Sequence, residues 1–372
     1  MEKHLHIITH DVPWPIDYGG VFDLFYKIKS LHQKGIQIHL HCFNSKKQEY
    51  SYLENYCHAI YTYSRSIKIG KMLLGLPHIV ASRIDKSLIN RLSQDNHPII
   101  FEGIHTTYPL YAKKLSNRKI YIRLHNVEWK YYLNLFYSEK NIIKKLYYGI
   151  ESFLLKKYEK KIAPQHEYWS VSKEDADYYI SAFHPKSIAF IPVFIPWNQI
   201  KNNSNPGNFC LYHGNLSIPE NEKVVLWLID RVFKEIELPL VIAGKNPSKK
   251  LINASHQYQN ICLAENPSQF ELEDLIKKAQ INILPSLNNT GIKLKILNAL
   301  YNGKHCLSNT DGELGIGIKG LCVSSNDLEE LKRLIVDNFK TPISENDLEK
   351  RKILMQIFNN EKNAAAIITY LY

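Results

Sequence analysis

The feature that most constrains the fold is a regular alternation of short apolar segments with amphipathic ones. In the first half of the chain, apolar runs typical of buried strands occur at 5–10, 36–43, 99–104, 119–125 and 168–172. Between the first two runs, residues 20–35 repeat apolar side chains at helical spacing, with Val21, Leu24 and Ile28 on one face. Strand–helix–strand repetition predicts an α/β fold with a parallel, doubly wound sheet.

The same pattern restarts after a stretch rich in proline and polar residues, 191–207, which we interpret as a linker. A second set of strands is predicted at 209–215, 239–244, 260–265, 281–286, 305–309 and 320–325. Since 372 residues exceed one ordinary core, we expect two Rossmann-like αβα domains facing across a cleft. Their predicted bounds are 1–190 and 208–350, with a C-terminal helix at 355–372 packing back on the first domain.

Charge and composition narrow the class of partner. The formal net charge of +11 favours an anionic partner, and 45% apolar residues supply a sizeable core. A nucleic-acid binder stays an alternative motivated by charge alone, because the sequence carries no RNP, KH or helix-turn-helix pattern. The scattered cysteines read as reduced core thiols. With neither a signal-peptide apolar region nor a run of about 18 apolar residues, we expect a cytoplasmic protein, soluble or peripheral at the membrane.

A predicted helix at 141–163 is the candidate for such peripheral contact. Its apolar side chains are flanked by lysines, a combination that binds anionic lipid surfaces. A helix with an ordinary solvated face is the alternative interpretation.

The stretch "NNTGIKLKILNALYNGK" contains the strongest candidate for an anion site. A loop follows the predicted strand 281–286, and a helix is predicted from Gly291 to Tyr301. Helix N-termini at the carboxyl ends of parallel strands bind phosphates. Gly291 permits close approach, and Lys293 and Lys295 add positive charge; an ordinary turn with surface lysines is the alternative.

Other candidates follow predicted strands or open a helix. The segment "HDVPWPIDYGG" places a glycine pair at a second helix mouth, with Asp17 as a ligand or a helix cap. Further polar residues and glycines at predicted strand ends are expected near the cleft, although each also fits a structural turn or a buried hydrogen bond: Glu102, His125, Asn126, Glu128, His213, Gly214, Asn215 and Lys245. Because no HExxH, GxSxG, GxxxxGK[ST] or metal-presenting DxD pattern occurs, no metal is expected in the mechanism.

The order of "GG", "RLHN", "SVSKEDAD", "HGNLSIPEN", "VIAGKNP" and "GIKLKILNAL" along nearly the whole chain resembles the GT-B glycosyltransferases. It is similar to the large retaining family 4 with its group 1 C-terminal domain. The resemblance implies a nucleotide-diphosphate sugar on the C-terminal domain and an acceptor on the N-terminal domain. It implies catalytic roles for His125, Lys293 and Lys295, and acceptor-side roles for Asp17, Glu102, Asn126 and Glu128. The implied donor-binding residues are Gly19, Gly20, His213, Gly214, Asn215, Lys245, Thr290, Gly291, Ile292 and Asn298.

The sequence also departs from the family pattern. Two glutamates usually stand where this chain has Thr290 and Asn298, and the usual "NG(V/I)D" is replaced by "PVFIPW". The function implied is retaining, metal-independent transfer of a hexose-type sugar to a glycan or polyprenyl-linked acceptor in cell-surface polysaccharide synthesis. A catalytically impaired GT-B protein that binds a glycan or a partner transferase is the alternative, and an epimerase on the same fold is a further one.

Overall fold

The computed structural model describes residues 2–16, 19–44, 51–65, 75–115, 118–201, 205–288, 291–314, 316–317 and 319–372. The chain forms two compact units. Unit 1 comprises Met1–Pro196 and Phe358–Tyr372, and unit 2 comprises Trp197–Ile357. The proline-rich stretch at 191–207 starts inside unit 1, where Ile191, Val193 and Phe194 are buried.

The described residues of unit 1 form a parallel sheet of seven strands in the order β3-β2-β1-β4-β5-β6-β7. Its strands are β1 Lys3–Thr9, β2 Ile36–Asn44, β3 Ala59–Ser64, β4 Ile99–Glu102, β5 Ile120–Leu124, β6 Glu167–Ser170 and β7 Ser187–Phe190. From β1, the sheet extends to one side through β2 and β3 and to the other side through β4 to β7, so the strand order reverses between β1 and β4. These two strands pair with His6 opposite Ile99 and Ile8 opposite Phe101. The carboxyl ends of these two strands therefore flank a switch point, the usual ligand position in such sheets.

Helices cover both faces of this sheet. They are α1 Gly19–Gln33, α2 Ser51–Glu54, α3 His78–Ala81, α4 Lys86–Leu92, α5 Tyr108–Tyr111, α6 Glu128–Ser138, α7 Ile142–Ile162, α8 Lys173–Phe183 and the C-terminal α16 Asn360–Leu371. One core layer joins Leu24 and Ile28 of α1 to Ile367 of α16. The layer on the other face includes Leu155 and Tyr158 of α7.

In the described part of unit 2, six strands form a parallel sheet in the order β10-β9-β8-β11-β12-β13. The strands are β8 Cys210–Asn215, β9 Leu240–Lys245, β10 Ile261–Glu265, β11 Ile281–Ile283, β12 His305–Ser308 and β13 Val323–Ser324. The helices are α9 Pro219–Leu228, α10 Lys249–Ser255, α11 Gln269–Lys278, α12 Leu294–Asn302, α13 Thr310–Leu314, α14 Leu328–Lys340 and α15 Glu345–Ile357. The switch point of this sheet lies between β8 and β11.

Two parallel, Rossmann-like sheets confirm the predicted fold class, and several local expectations need correction. The sequence pattern missed β3 and β7. Helix α12 begins at Leu294 rather than Gly291, because Gly291 has a left-handed φ of 65°. The predicted continuous C-terminal helix is two helices, separated where the Asn359 side chain caps Lys362.

The cysteine interpretation was partly wrong as well. Cys42, Cys210, Cys306 and Cys322 are buried, whereas Cys57 is half-buried and Cys262 is exposed. Among the described helices, none is both long and apolar enough to cross a membrane.

Candidate functional site

The first candidate site lies at the switch point of unit 2. Strands β8 and β11 are neighbours with Ile281 opposite Cys210, so their carboxyl ends meet at the same edge of the sheet. The chain leaves β11 through Pro285 and Ser286 and enters α12 at Leu294. The N-terminus of α12 thus follows the strand end at which parallel sheets of this type bind ligands.

The approach to α12 leaves its first turn suited to an anion. Gly291 is buried with φ of 65°, a conformation that a side chain would strain. Lys293 is the N-cap residue, and its backbone carbonyl accepts from the N–H groups of Ile296 and Leu297 at 2.9 and 3.2 Å. Since a lysine side chain has no acceptor for the N–H groups of a first turn, this cap contributes charge instead.

Lys295 lies in the same turn and points toward β8. Its Nζ is 3.3 Å from the Tyr212 hydroxyl and 3.3 Å from Oδ1 of Asn221, and it lies 4.9 Å from the centre of the Tyr212 ring. Burial lowers the pKa of Lys295 to about 8, with Lys293 adding to the shift and Glu220 opposing it. A half-buried ammonium with neutral partners is poised to gain a negatively charged ligand.

Two residues of α9 complete this environment, and sequence reasoning placed neither of them in the site. Glu220 accepts hydrogen bonds at 3.1 Å from the Ser286 hydroxyl and the Leu287 N–H, so it holds the loop that follows β11. Asn221 donates to the Asn215 carbonyl at 2.9 Å and accepts from Tyr212 at 3.1 Å. The signal was available, since both residues belong to the "HGNLSIPEN" motif.

The predicted residues at the ends of β8 and β9 lie side by side. The register pairs His213 with Ala243, Gly214 with Gly244 and Asn215 with Lys245. A Cβ on Gly244 would meet the Gly214 carbonyl at 2.0 Å, so a glycine is required there for the two strands to approach. His213 is 3% exposed, and burial together with Lys295 lowers its pKa to about 3, which keeps the ring neutral.

Asn298 lies one turn into α12. Its Oδ1 accepts from the Asn302 amide at 2.7 Å, so this side chain is held along its own helix. An amide at this position retains hydrogen-bonding capacity without the charge of the glutamate expected from the family pattern. Ile292 is half-buried at the approach to the same helix.

The second candidate site is a buried charge network at the switch point of unit 1. Arg123 of β5 donates twice to Asp23 of α1, at 2.9 Å for each bond, and also donates to the carbonyls of Ile191 and Pro192. Lys27, one turn after Asp23, lies 2.6 Å from Glu102 and 3.3 Å from Asp23. Two acids and two bases, each at most 1% exposed, balance one another in this network.

His125 forms the exposed edge of the network. Its Nε2 is 2.9 Å from Glu102, its Nδ1 is 3.9 Å from Asp23, and its side chain is 18% exposed. Burial alone would raise the pKa of Glu102, but Lys27 and His125 outweigh it and lower that pKa to about 2. Glu102 therefore stays ionised and orients the imidazole, whose accessible edge is left for a ligand.

This cluster does not need a metal for charge balance. Asp23, Glu102 and His125 offer ligand atoms within 4.8 Å of one another. Lys27 already contacts both carboxylates and supplies the cation that the acids require.

Four further residues lie near His125. The rings of His10 and His105 stack with centroids 4.9 Å apart, and burial beside Arg83 lowers the pKa of His10 to about 3. Glu128 is 4% exposed and lies 4.0 Å from His105. The Glu128 carboxyl accepts a hydrogen bond from the Asn126 side chain. Burial and the neighbouring Glu159 raise the pKa of Glu128 to about 8.

The structure thus groups the predicted residues into one set per unit. Unit 2 brings together His213, Gly214, Asn215, Lys245, Gly291, Ile292, Lys293, Lys295 and Asn298. Unit 1 brings together Glu102, His125, Asn126 and Glu128, and α1 begins at the Gly19–Gly20 pair. Asp17 and Thr290 lie outside the described residues. Sequence reasoning missed Asp23, Lys27, His10 and His105, whose roles depend on pairing between distant strands and helices.

Comparison with known proteins gives one relative by sequence and several by structure. No protein-family model matches the chain. An uncharacterized 44.6 kDa protein in the cps region of Klebsiella pneumoniae is 30% identical over 329 residues, which cover 84% of each chain.

Two solved structures illustrate the similarity in fold. Sucrose-phosphate synthase of Thermosynechococcus elongatus superposes with a TM-score of 0.71 at 13% identity, covering 99% of this chain and 98% of that one. A mutant of S. aureus TarM, in complex with fondaparinux, α-GlcNAc-glycerol and UDP, superposes with a TM-score of 0.67 at 8% identity, covering 99% of both chains. At identities this low, the superpositions show a shared fold and nothing about activity.

Proposed function

Since the chain belongs to the same family as the cps-region protein of Klebsiella pneumoniae and has the GT-B glycosyltransferase fold, we propose that it is a retaining glycosyltransferase. It moves a hexose-type sugar from a nucleotide-diphosphate sugar to a glycan or lipid-linked acceptor. The K. pneumoniae relative supports a role in capsular or other cell-surface polysaccharide synthesis. The UDP in the TarM complex supports a nucleotide-sugar donor.

The observation that carries the proposal is the cationic N-terminus of α12 at the switch point of unit 2. Lys293, Lys295 and the first-turn N–H groups bind the diphosphate and stabilise the negative charge that develops as it leaves. Lys245 adds a cation from the end of β9. Glu220 and Asn221 hold the loop and Lys295 in place, and His213, Gly214 and Asn215 border the site.

The transfer proceeds on one face of the sugar. The bond between the anomeric carbon and the diphosphate oxygen breaks, and the acceptor hydroxyl oxygen bonds to the same carbon. The departing diphosphate takes the acceptor proton, so no metal and no protein base is required. The protein contributes positioning and charge stabilisation.

His125 contacts the transferred sugar in this scheme. Glu102 and Asp23 fix its ring, so their roles are to position His125 rather than to bind the acceptor directly. On the acceptor side, Asn126 follows in the same loop and Glu128 begins α6. The Gly19–Gly20 pair begins α1, and Asp17 precedes that pair in the sequence.

An anionic membrane surface is the proposed location of the acceptor. The first half of α7 exposes Ile142, Ile143 and Leu146 to solvent by 82%, 81% and 62%, beside Lys144 and Lys145. Apolar side chains among cations insert at the boundary of an anionic leaflet. Flotation of the protein with anionic liposomes, but not with neutral ones, is the expected result; no recovery with either would remove the membrane from the proposal.

The function is tested by a thermal-shift panel of UDP, GDP, ADP and CMP with their common sugar conjugates, with and without Mg²⁺. One nucleotide at about 100 times its Kd should stabilise unit 2 by roughly 2.7 kcal/mol, independent of metal. Lys293→Ala and Lys295→Ala should each reduce turnover of the matching sugar nucleotide strongly and leave the melting temperature without ligand unchanged. Unchanged rates in both variants would contradict the diphosphate assignment.

The alternative is a GT-B protein that has lost donor binding and serves as a glycan-binding or transferase-partner module. Asn298 motivates it, because an amide lacks the charge that roughly doubles the strength of a hydrogen bond to ribose. A flat nucleotide panel for the natural chain, with binding restored by Asn298→Glu, would favour this alternative.

A further inference from the structure

A cluster of histidines lies at one face of the sheet of unit 1, on β1 and β2 and in the segments that precede β3 and β4. Histidines alternate along β1 and β2, which places them on the same face of the sheet. The parallel register sets His6 opposite His39, and the His58 N–H donates to the Ile38 carbonyl at 2.8 Å. The cluster consists of His4, His6, His39, His41, His58 and His97, with ring centroids between 4.8 and 6.0 Å apart in the contacts that link them.

The inner pair of this cluster has a structural role. His6 Nδ1 and His41 Nε2 are 2.9 Å apart, so they share one hydrogen bond. The remaining ring nitrogens are also paired, since His6 Nε2 lies 3.0 Å from Asp95 and His41 Nδ1 lies 2.9 Å from the Tyr63 hydroxyl. Both rings are at most 2% exposed. Core hydrogen bonding accounts fully for these two residues.

The outer three histidines are arranged differently. His4, His39 and His58 each offer a ring nitrogen, and the three nitrogens lie within 4.8 Å of one another. His4 Nδ1 and His39 Nε2 are 3.0 Å apart. Two imidazoles bound to one tetrahedral zinc, each ~2.0 Å from the metal, place their nitrogens ~3.3 Å apart. The spacing found here is therefore close to that of a metal site before small adjustments of the rings.

We propose that His4, His39 and His58 form a binding site for a divalent transition-metal ion of the zinc type. Three imidazoles are a ligand set that suits zinc, copper and nickel and discriminates against magnesium and calcium, which prefer oxygen. The site is reachable from solvent because His58 is exposed and His4 and His39 are half-buried.

Two neighbouring side chains support the proposed site, one as a candidate further ligand and one by holding the His4 ring. The Glu2 carboxylate lies 3.6 Å from Nε2 of His4, near enough to orient this ring or to bind the ion after a side-chain rotation. The ring of His97 stacks on that of His4, with centroids 4.8 Å apart and planes 19° apart, and limits its rotation. A bound ion would connect β1, β2 and the residue that precedes β3, and so stabilise this edge of unit 1.

This site is separate from the one that carries the proposed function. His4 belongs to unit 1, whereas the diphosphate site belongs to unit 2. Within unit 1, Thr9 at the carboxyl end of β1 lies five positions after His4, about 16 Å at ~3.3 Å per residue. The prediction that the transfer reaction uses no metal is therefore independent of this proposal. Success or failure in either test leaves the other unaffected.

The test uses the untagged full-length protein, treated with EDTA and dialysed before titration with ZnCl₂ in a calorimeter. One equivalent of Zn²⁺ should bind, and the melting temperature should rise with added Zn²⁺ but not with added Mg²⁺. His58→Gln and the double variant His4→Gln/His39→Gln should weaken binding at least ten-fold. His256→Gln, which changes an exposed histidine of unit 2, is the matched control and should bind as the natural chain does.

A second readout distinguishes coordination from nonspecific adsorption. Co²⁺ added in place of Zn²⁺ should give ligand-field absorption in the visible that disappears in the His58→Gln variant. Because the ring of His58 is exposed, this variant should fold normally even if the double variant does not. No saturable binding by the natural chain, or equal binding by the natural chain and His58→Gln, would overturn the proposal and leave His4 and His39 as a hydrogen-bonded pair.

Discussion

At Lys295, burial favours the neutral amine, whereas binding of an anionic ligand favours the charged ammonium. In the free protein its pKa is about 8, compared with 10.5 for an ordinary lysine, so the ammonium is lost as the pH rises through about 8. The diphosphate, with a last pKa of ~6, keeps its charge over this range. Binding of the nucleotide requires the protonated lysine, which becomes the minor form above pH 8.

We therefore expect nucleotide affinity to fall up to about ten-fold between pH 7 and pH 9, since apparent affinity scales with the fraction of binding-competent protein. Lys295→Arg should remove this pH dependence, because an arginine stays charged. Lys295→Met should remove it as well, at a uniformly lower affinity. Calorimetric titration of the natural chain and both variants at the two pH values is the measurement; an unchanged affinity of the natural chain would contradict the role of Lys295.

Glu128 and Glu159 are two buried carboxyl groups whose ionisation affects the stability of the protein. Both carboxyls are buried, and burial raises the pKa of each to about 8; Glu159 adds to the shift of Glu128, and Asp175 adds to both shifts. Oε1 of Glu159 accepts from the Tyr179 hydroxyl at 2.7 Å and from the Glu128 N–H at 3.2 Å. Between pH 4.5 and 8 the unfolded chain has released these protons while the folded chain retains them, so the free energy of unfolding falls as the pH rises.

Glu159→Gln should reduce that fall, since glutamine keeps the acceptor for Tyr179 and carries no ionisable proton. From pH 5 to pH 8 we expect the natural chain to lose about 3–4 kcal/mol for each of the two carboxyls, and the variant to lose clearly less. Urea unfolding at three pH values provides the comparison. Glu237→Gln, an exposed position in unit 2, should behave as the natural chain does, and parallel pH profiles for all three proteins would contradict the assignment.

At the same scale, the sequence predicted the site residues that follow a strand and missed those that depend on pairing across the fold. Lys293, Lys295, His213 and Lys245 come directly after apolar strands or at a helix mouth, so local pattern is sufficient to find them. Asp23 and Lys27 look like ordinary residues of an amphipathic helix. Their burial becomes evident once β4 and β5 bring Glu102 and Arg123 beside α1, and no local signal in the sequence encodes that meeting.

At the scale of elements, α7 shows that the apolar pattern of a helix can predict the wrong face as the buried one. The apolar positions Ile142, Leu146 and Ile150 suggest a core-facing stripe, yet they are 82%, 62% and 52% exposed. The buried face instead uses Glu151, Ser152, Leu155, Tyr158, Glu159 and Ile162. Polar groups such as Glu151 and Glu159 lie on the buried face of α7. The apolar side chains in the first half of the helix face solvent, where they can contact a membrane surface.

The variant Ile142→Ser/Ile143→Ser/Leu146→Ser tests the role of that surface. Each of these side chains contributes about 1.5–3 kcal/mol when buried in an apolar phase, so we expect recovery with anionic liposomes to fall at least ten-fold. Folding should be unaffected, as serine and isoleucine have similar helix propensities and the positions are exposed. Phe270→Ser, at a position 81% exposed in unit 2, is the control; equal flotation of both variants would exclude α7 as the membrane contact.

The elements themselves were largely predictable, and their exceptions have local causes. Apolar runs located eleven of the thirteen described strands, because a strand buried on both faces of a parallel sheet has few polar positions. The run "AIYTYS" of β3 is an edge strand with two tyrosines, and β7 is the other edge strand, with four residues, so neither has that signature. The break before α16 follows from an asparagine cap that a continuous helical pattern conceals.

At the scale of the whole molecule, the chain builds unit 2 and then returns to unit 1. Ala364, Ile367 and Leu371 of α16 are at most 2% exposed, in the same core layer as α1. Asn360 bonds to both the N–H and the carbonyl of Ile195, at 3.1 and 2.7 Å, which fixes the start of the helix on unit 1. The core of unit 1 is therefore incomplete until α16 has been made.

Ile367→Ala measures how much unit 1 depends on this return. Removing a fully buried isoleucine side chain costs about 2–5 kcal/mol, so we expect hydrogen exchange in β1 to accelerate strongly while exchange in β9 stays unchanged. Ile353→Ala, at a position 43% exposed on α15 of unit 2, should shift neither by more than ~0.5 kcal/mol. Equal exchange in β1 for the natural chain and Ile367→Ala would mean that α16 covers unit 1 without stabilising it. Faster exchange in β1 and β9 together would mean that the two units unfold as one, so that a substitution in the C-terminal helix would also weaken the strands that carry the diphosphate site.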